Sequence, residues 1–140
     1  MRIISIITKS SLKIELNGGS MSRKINIPTI YEEDIEGFCY RGDNICIKYN
    51  YEGATINLNF SGVYMFDFFE FDYLNDTEWE FGLCEYKESS LLTQIKSGIN
   101  PQWMQYAFGG EMDKVRHYKL VIDDVGMYNI VCKNFSLIQE

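Results

Sequence analysis

The sequence predicts a mainly β protein, α+β at the margin, whose antiparallel sheet is curled or forms a sandwich or a partial barrel. Apolar and polar residues alternate with period two along much of the chain, as in half-buried strands. Residues 45–60 have the pattern of a hairpin, and helical signals are confined to residues 89–108, where one or two short helices are expected. The 140 residues are enough for a self-sufficient core, so we expect a single domain, 1–140.

The clearest element is the hairpin over residues 45–60. Its two halves lie on either side of Glu52 and Gly53, a pair suited to a two-residue turn with glycine at a positive φ. This turn sets the register, because the strands then pair outward from it. The predicted pairs all place apolar side chains on one face: Tyr51–Ala54, Tyr49–Ile56, Ile47–Leu58 and Ile45–Phe60.

Two further strands are predicted after this hairpin. Along residues 63–74 the apolar phase changes at Phe68 and Phe69, which predicts a β-bulge or a sharp bend there. The next strand alternates its apolar residues with polar residues or glycine: Trp79, Phe81 and Leu83.

The two ends of the chain are also predicted to form strands. Near the C-terminus, a loop of residues 124–126 with Gly126 in the left-handed conformation predicts a hairpin. In this hairpin Ile122 faces Tyr128, and Leu120 faces Ile130. At the N-terminus, strands are predicted over residues 2–8, 12–16 and 24–27, with a turn at 17–19.

Helical signals begin at Ser89 or Ser90, either of which can cap a short helix that ends at Gly98. Asn100 and Pro101 resemble a second N-cap followed by a first-turn proline. Three residues after them would share one face: Trp103, Tyr106 and Ala107. Residues 108–114 are expected to form a mobile loop.

Composition excludes several functional classes. The net charge of −7 and a pI near 4.7 argue against a nucleic-acid-binding protein, because phosphate contacts need a basic face. No apolar run approaches the ~20 residues of a membrane span. The apolar start of the chain is also shorter than a signal-peptide core of about 7–15 residues. We therefore expect a cytoplasmic protein with no membrane contact.

The four cysteines, Cys39, Cys46, Cys84 and Cys132, are separated by 7, 38 and 48 positions. Because no CxxC pair exists, neither a zinc ribbon nor a thioredoxin-type motif is available. We interpret the cysteines as small buried or half-buried apolar residues in a reducing compartment, with disulfides in an exported protein as the alternative. No metal and no cofactor is expected.

Catalytic motifs are absent from the sequence. It contains no GxSxG, no P-loop and no GxGxxG, and His117 is its only histidine. We interpret His117 as an ordinary strand residue, with a pocket residue as the alternative. No catalytic residue is assigned, and a non-enzymatic protein is expected. A pocket that gathers His117 with two carboxylates would favour an enzyme instead.

The most unusual feature is an acidic segment, residues 67–88. It holds eight carboxylates and one lysine, so its charge of −7 equals that of the whole chain. The segment can be a solvated sheet face that resists edge association, a steering surface for a basic protein, or an acid/base or cation site. The residues assigned to a partner-binding surface are Asp67, Glu70, Asp72, Asp76, Glu78, Glu80 and Glu85.

Residues 115–133, with the helix predicted after Ser89, resemble the C-terminal part of small bacterial proteins. Some members of that group are regarded as immunity or antitoxin-type proteins encoded beside polymorphic toxins. The resemblance implies a small, acidic, cytoplasmic protein that neutralises a basic toxin by binding it, without catalytic machinery. It transfers no functional residue. The residues that carry it are His117, Tyr118, Asp123, Asp124 and Gly126.

The leading hypothesis is a non-enzymatic protein-binding module, such as an immunity-like inhibitor, whose acidic segment meets a basic partner. The alternative is a carrier for a small apolar ligand, with a cavity inside the curled sheet and a ligand pocket near Trp103, Tyr106 and His117. A packed interior without a pocket of about 300 Å³ would count against the carrier. A homodimer through a sheet edge is a further option.

Overall fold

The computed structural model describes residues 2–3, 14–17, 20–70 and 81–140. The strands form a single antiparallel sheet that is not closed into a barrel, which confirms the predicted mainly β fold. The strands are β1 Arg2–Ile3, β2 Ile14–Asn17, β3 Ser20–Ile25, β4 Ile35–Arg41, β5 Asn44–Tyr51, β6 Ala54–Glu70, β7 Gly82–Tyr86, β8 Arg116–Ile122 and β9 Gly126–Gln139. The α-helix is α1, Ser90–Ser97, and 3-10 helices span Glu32–Asp34, Pro101–Gly110 and Met112–Lys114. None of the described helices is both long enough and apolar enough to span a membrane.

The long strands β6 and β9 lie in the middle of the sheet and connect its two halves, β2-β3-β7-β8 on one side and β5-β4 on the other. The strand order is β2-β3-β7-β8-β9-β6-β5-β4, with β1 beside the end of β9. The pairing of β6 with β9 shifts register between Val63 and Met65, directly after Gly62, whose φ is +65°. Such a bulge bends the strand that carries it, and the two halves of the sheet fold over each other. The ring of Phe60, before the bulge, accordingly lies 5.5 Å from that of Tyr118 on β8.

The hairpin predicted over residues 45–60 is confirmed in all of its predicted pairs. Glu52 and Gly53 have φ values of 48° and 81°, and positive values at both positions are what a type I′ turn requires. Tyr49 is 0% exposed on the inner face. Its hydroxyl donates to the backbone carbonyl of Pro28 at 2.6 Å, and burial raises the pKa of the phenol. The hairpin is therefore tied to the segment that connects β3 to β4.

Apolar clusters lie on both faces of the sheet. The interior cluster fills the space between the folded halves, and its fully buried members include Ile47, Leu58, Leu83, Leu120 and Ile130. A smaller cluster on the outer face joins α1 and the following 3-10 helix to the sheet: Leu92, Phe108, Val115 and Val131. Both predicted N-caps are confirmed, because the Ser89 side chain accepts from Leu92 N and the Asn100 side chain accepts from Gln102 N.

The C-terminal hairpin is displaced by two residues from the prediction. Strands β8 and β9 pair Ile122 with Gly126 and Leu120 with Tyr128, so the loop is residues 123–125. The left-handed residue of this loop is Asp124, with a φ of 63°, rather than Gly126. A shift of two residues keeps the same side chains on the inner face, so the alternation of apolar residues is equally compatible with either register.

Several other local expectations need correction or fall outside the described residues. The bend predicted at Phe68 and Phe69 is wrong, because the bulge lies earlier and Tyr64 is its extra residue. The loop predicted over 108–114 instead contains buried Phe108 and a 3-10 helix. Strand β4 was not predicted. Outside the described residues lie Trp79, residues 18–19 of the turn predicted at 17–19, and most of the predicted strand 2–8.

Candidate functional site

An exposed aromatic cluster, here called the aromatic mouth, lies where β4 meets the far end of β6. It consists of Phe38 on β4, Phe66 and Phe68 on β6, and Tyr128 on β9. The ring centroids of the three phenylalanines lie 5.3, 5.7 and 4.6 Å from that of Tyr128. Tyr128 is 7% exposed, whereas the phenylalanines are 49, 41 and 38% exposed. The mouth therefore has a buried base and three exposed rings.

The strand pattern explains why these rings come together. Phe38 pairs with core residue Ile47, and Phe68 pairs with Tyr128, so both belong to the inner face of the folded sheet. Among the described residues, β4 pairs only with β5, and the second half of β6 pairs only with β9. The inner face therefore continues beyond the buried core at the edge of β4 and at the edge of the second half of β6, neither of which pairs with another described strand. Contiguous exposed apolar surface of this kind marks interaction sites in soluble proteins.

The predicted acidic surface is only partly within the described residues. Asp72, Asp76, Glu78 and Glu80 lie outside them. Asp67 accepts a hydrogen bond from the side chain of Asn129 at 2.9 Å. Glu85 pairs with Arg23 at 2.9 Å and accepts from the Tyr118 hydroxyl at 2.8 Å. Glu70 is exposed and follows Phe68 by two positions on the same strand face, so it lies next to the aromatic mouth.

Trp103 and Tyr106 line an apolar groove on the outer face of the sheet. The groove has a volume of about 430 Å³, and both side chains are well exposed, at 60 and 63%. Tyr64 also lines it, with its ring 4.5 Å from that of Phe108. The structure therefore brings together two of the three residues predicted for a ligand pocket, whereas His117 lies elsewhere.

His117 is buried beneath the start of α1, where it is part of a chain of polar side chains. Its Nε2 lies 2.8 Å from Oδ1 of Asn129, and its Nδ1 lies 2.9 Å from Oγ of Ser89. Because Asn129 donates its amide to Asp67, its oxygen faces the ring, which assigns the proton to Nε2. The Ser89 hydroxyl then donates to Nδ1 while its oxygen accepts from the backbone N–H of Leu92.

This polar chain holds a neutral imidazole. Burial lowers the pKa of His117 to about 4, despite the hydrogen bond from the ring to Asn129, which acts in the opposite direction. A nucleophilic side chain, a histidine and a carboxylate or amide, joined in this order by hydrogen bonds, also form the catalytic sites of hydrolases. Here, however, Ser89 is only 9% exposed and its oxygen caps α1. The arrangement accounts for the attachment of α1 to the sheet, and His117 meets one carboxylate, Asp67, indirectly through Asn129.

A basic cleft that was not predicted lies at the other side of β8. Its volume is about 400 Å³, and its four cations come from three separate parts of the chain. Glu111 pairs with two of them, Lys114 and Lys133, and hydrogen bonds to these lysines lower the pKa of its carboxyl. No local sequence pattern indicates such a cleft, because the three parts that form it are distant from one another in the chain. The cations that line it are Arg23, Lys114, Arg116 and Lys133.

A cavity of about 320 Å³ lies at the end of the interior, beside the segment that connects β3 to β4. Its lining is mainly apolar and includes Ile27, Ile30 and Phe81. Its volume reaches the lower limit expected of a small-ligand site.

Comparisons with protein-family models, with curated proteins and with solved structures find no match for this chain. Within the described ranges, no group of three or more His, Cys, Asp or Glu side chains is placed to hold a metal ion.

Proposed function

We propose that this protein is a non-enzymatic protein-binding module whose aromatic mouth receives a basic partner. The observation that supports this proposal is the set of three exposed phenylalanine rings around Tyr128. Aromatic side chains are the commonest anchors of protein interfaces, because they supply large apolar area with few rotatable bonds. The rings are already packed against a buried residue, so binding would immobilise little of the surface.

The basic character of the partner follows from charge. The chain carries −7, and the acidic segment that begins at Asp67 accounts for an equal amount. Glu70 lies next to the mouth, on the same strand face as Phe68. An acidic surface accelerates encounter with a basic partner, and Lys or Arg side chains over exposed rings add about 0.5–2 kcal/mol each through cation–π contacts. An immunity-like inhibitor that occupies a basic toxin is one role that fits this chemistry.

The aromatic contribution is tested with synthetic peptides of one length that carry either Lys, Arg and Leu or Glu and Leu. Phe38→Ala and Phe68→Ala should each weaken binding of the basic peptides about tenfold, the effect of losing about 1.4 kcal/mol. Tyr106→Ala is the matched control, since it removes a more exposed aromatic side chain from the outer face. Fluorescence anisotropy of labelled peptide gives the affinity. Equal losses in all three variants, or tight binding of the acidic peptides, would refute the proposal.

The electrostatic contribution is tested by reversing four charges of the acidic segment: Glu70, Asp72, Glu78 and Glu80. The association rate for a basic peptide should fall steeply in this variant at about 20 mM salt, and the difference should shrink at about 200 mM salt because of screening. The control reverses four other acidic residues with the same change in net charge: Glu32, Glu33, Asp113 and Glu140. An unchanged rate in the first variant, or the same fall in both variants, would contradict steering by the acidic segment.

A second candidate function, the small apolar-ligand carrier, is favoured by one specific observation, the cavity of about 320 Å³ at the end of the interior. Binding of an environment-sensitive naphthalene sulfonate dye tests it. If the cavity is the site, Ile30→Trp should fill it and abolish binding, while Trp103→Ala should leave binding unchanged. If Trp103→Ala abolishes binding and Ile30→Trp does not, the dye binds in the outer groove. If neither substitution reduces binding, both sites are excluded.

A further inference from the structure

The hairpin of β4 and β5 places two cysteines directly opposite each other. Cys39 on β4 is the register partner of Cys46 on β5. Opposite residues of an antiparallel pair project to the same face, and here that is the outer face, because the adjacent pairs Tyr40–Ile45 and Phe38–Ile47 include buried core residues on β5. The two thiols are therefore neighbours on one surface, although the spacing in the sequence gives no indication of this.

From this register we infer that Cys39 and Cys46 form a redox modification site, at which hydrogen peroxide or another two-electron oxidant closes a cross-strand disulfide. The inference does not depend on the function proposed above. None of the four cysteines is part of a disulfide in the structure.

The backbone geometry suits such a bond. Opposite Cα atoms in an antiparallel pair are about 4.5 or 5.5 Å apart, and a disulfide spans about 4.4–6.8 Å. The Cβ atoms, about 4.5–5.5 Å apart, must approach to about 3.5–4.5 Å. Strand β4 can make this small adjustment, because within the described residues it is bonded on one side only, to β5. The required movement is that of an edge strand, and the core remains in place.

The two thiols differ in accessibility, which assigns them different roles. Cys39 is exposed, whereas Cys46 is half-buried and its thiol lies 3.5 Å from Oδ1 of Asn57. Burial, and then the proximity of Cys39, raises the pKa of Cys46. The exposed Cys39 is thus the thiol that meets the oxidant first, and Cys46 is the thiol that resolves the product.

The chemistry balances in two steps. The Cys39 thiolate attacks one oxygen of hydrogen peroxide, the O–O bond breaks, and a sulfenic acid and hydroxide form. The Cys46 sulfur then attacks the Cys39 sulfur, the S–O bond breaks, and water leaves with the Cys46 proton. The two cysteines together lose two electrons, and the peroxide is reduced. A dithiol reductant reverses the bond by thiol–disulfide exchange.

The remaining cysteines serve as internal controls. Cys132 is buried, and burial raises the pKa of its thiol to about 12, so it should stay reduced. Cys84 is half-buried like Cys46, but its register partners are Lys24 and Lys119 rather than another cysteine. Replacing Cys84 by serine therefore removes one thiol of comparable exposure without touching the proposed pair.

The test oxidises the folded protein with limiting peroxide, blocks free thiols with iodoacetamide and maps disulfides by mass spectrometry after digestion. We expect one intramolecular Cys39–Cys46 bridge in the wild type and in Cys84→Ser, no such bridge in Cys39→Ser, and its loss after dithiothreitol treatment. When the protein is oxidised in urea, the preference for the Cys39–Cys46 disulfide should disappear, and other disulfide pairings should form. Any of three results would overturn the inference. Cys39 and Cys46 are each found alkylated in the oxidised wild type, the product is chiefly intermolecular dimers, or the mixture of disulfide pairings is the same with and without urea. The wild-type map alone is decisive if a variant fails to fold.

Discussion

Acidification should destabilise this fold through His117, and the substitution His117→Gln should remove that effect. In the folded protein the ring is neutral, with Nε2 donating to Asn129 and Nδ1 accepting from Ser89. A proton on Nδ1 would oppose the Ser89 hydroxyl proton and place a charge in a buried site. Glutamine offers one amide donor and one oxygen acceptor, so it can keep both hydrogen bonds without titrating.

The sign and the size of the effect follow from linkage. The ring of the unfolded chain gains its proton near pH 6.5, whereas burial lowers the pKa of folded His117 to about 4. Between these values the unfolded state binds more protons, so stability falls as the pH falls from 6.5 towards 4. At about 1.4 kcal/mol per pH unit, the loss reaches about 2 kcal/mol at about pH 5 and about 3 kcal/mol at about pH 4.

Urea unfolding of both proteins at several pH values measures this effect. The free energy of unfolding of the wild type should fall by about 2 kcal/mol more than that of His117→Gln between about pH 7 and pH 5. Carboxylates such as Asp67 are present in both proteins, so their titration cancels in the difference. Parallel profiles over this range would refute the assignment of a buried neutral imidazole. If the free energy of unfolding falls less in the wild type than in the variant, His117 has the opposite effect on stability from the one expected.

Three further predictions concern single contacts. Ser89→Ala should lower the free energy of unfolding, measured in urea, by about 1–3 kcal/mol, because it removes a helix cap and a buried hydrogen bond. Ser90 is exposed, so Ser90→Ala should cost under about 0.5 kcal/mol, and equal losses in the two variants would contradict the cap. Gly126→Ala should lower the Tm by many degrees, because the added Cβ would lie 2.2 Å from a backbone oxygen of β6. A Cβ added at Gly37 has no atom within 4 Å, so Gly37→Ala is the control, and similar Tm values for the two variants would contradict the close approach. Tyr49→Phe should cost about 1 kcal/mol in urea by loss of its hydroxyl hydrogen bond, and an unchanged stability would show that this bond contributes nothing.

The two hairpins show what the sequence can and cannot predict about register. The turn at Glu52 and Gly53 has one suitable geometry, so the pairs on either side of it follow directly. At the C-terminal turn two loops are compatible with the same inward faces, and the presence of Gly126 favours the wrong one. In the structure the turn conformation falls on Asp124, and Gly126 is required by its close approach to β6. A glycine in a sequence does not distinguish a turn from a tight contact.

The acidic segment can be recognised in the sequence, whereas the aromatic mouth cannot. Charge is a sum over neighbouring residues, so a run of carboxylates is visible without a structure. Exposure of an aromatic ring depends on what covers it. Phe68 follows the same period-two pattern as buried residues of β6, and Phe38 lies on a strand that was not predicted. The rings become neighbours because the bulge that follows Gly62 bends β6, and Phe38 on β4 then lies against Tyr128. Period-two alternation predicts which side chains share a face, whereas the position of a single bulge decides which part of that face is left open to a partner.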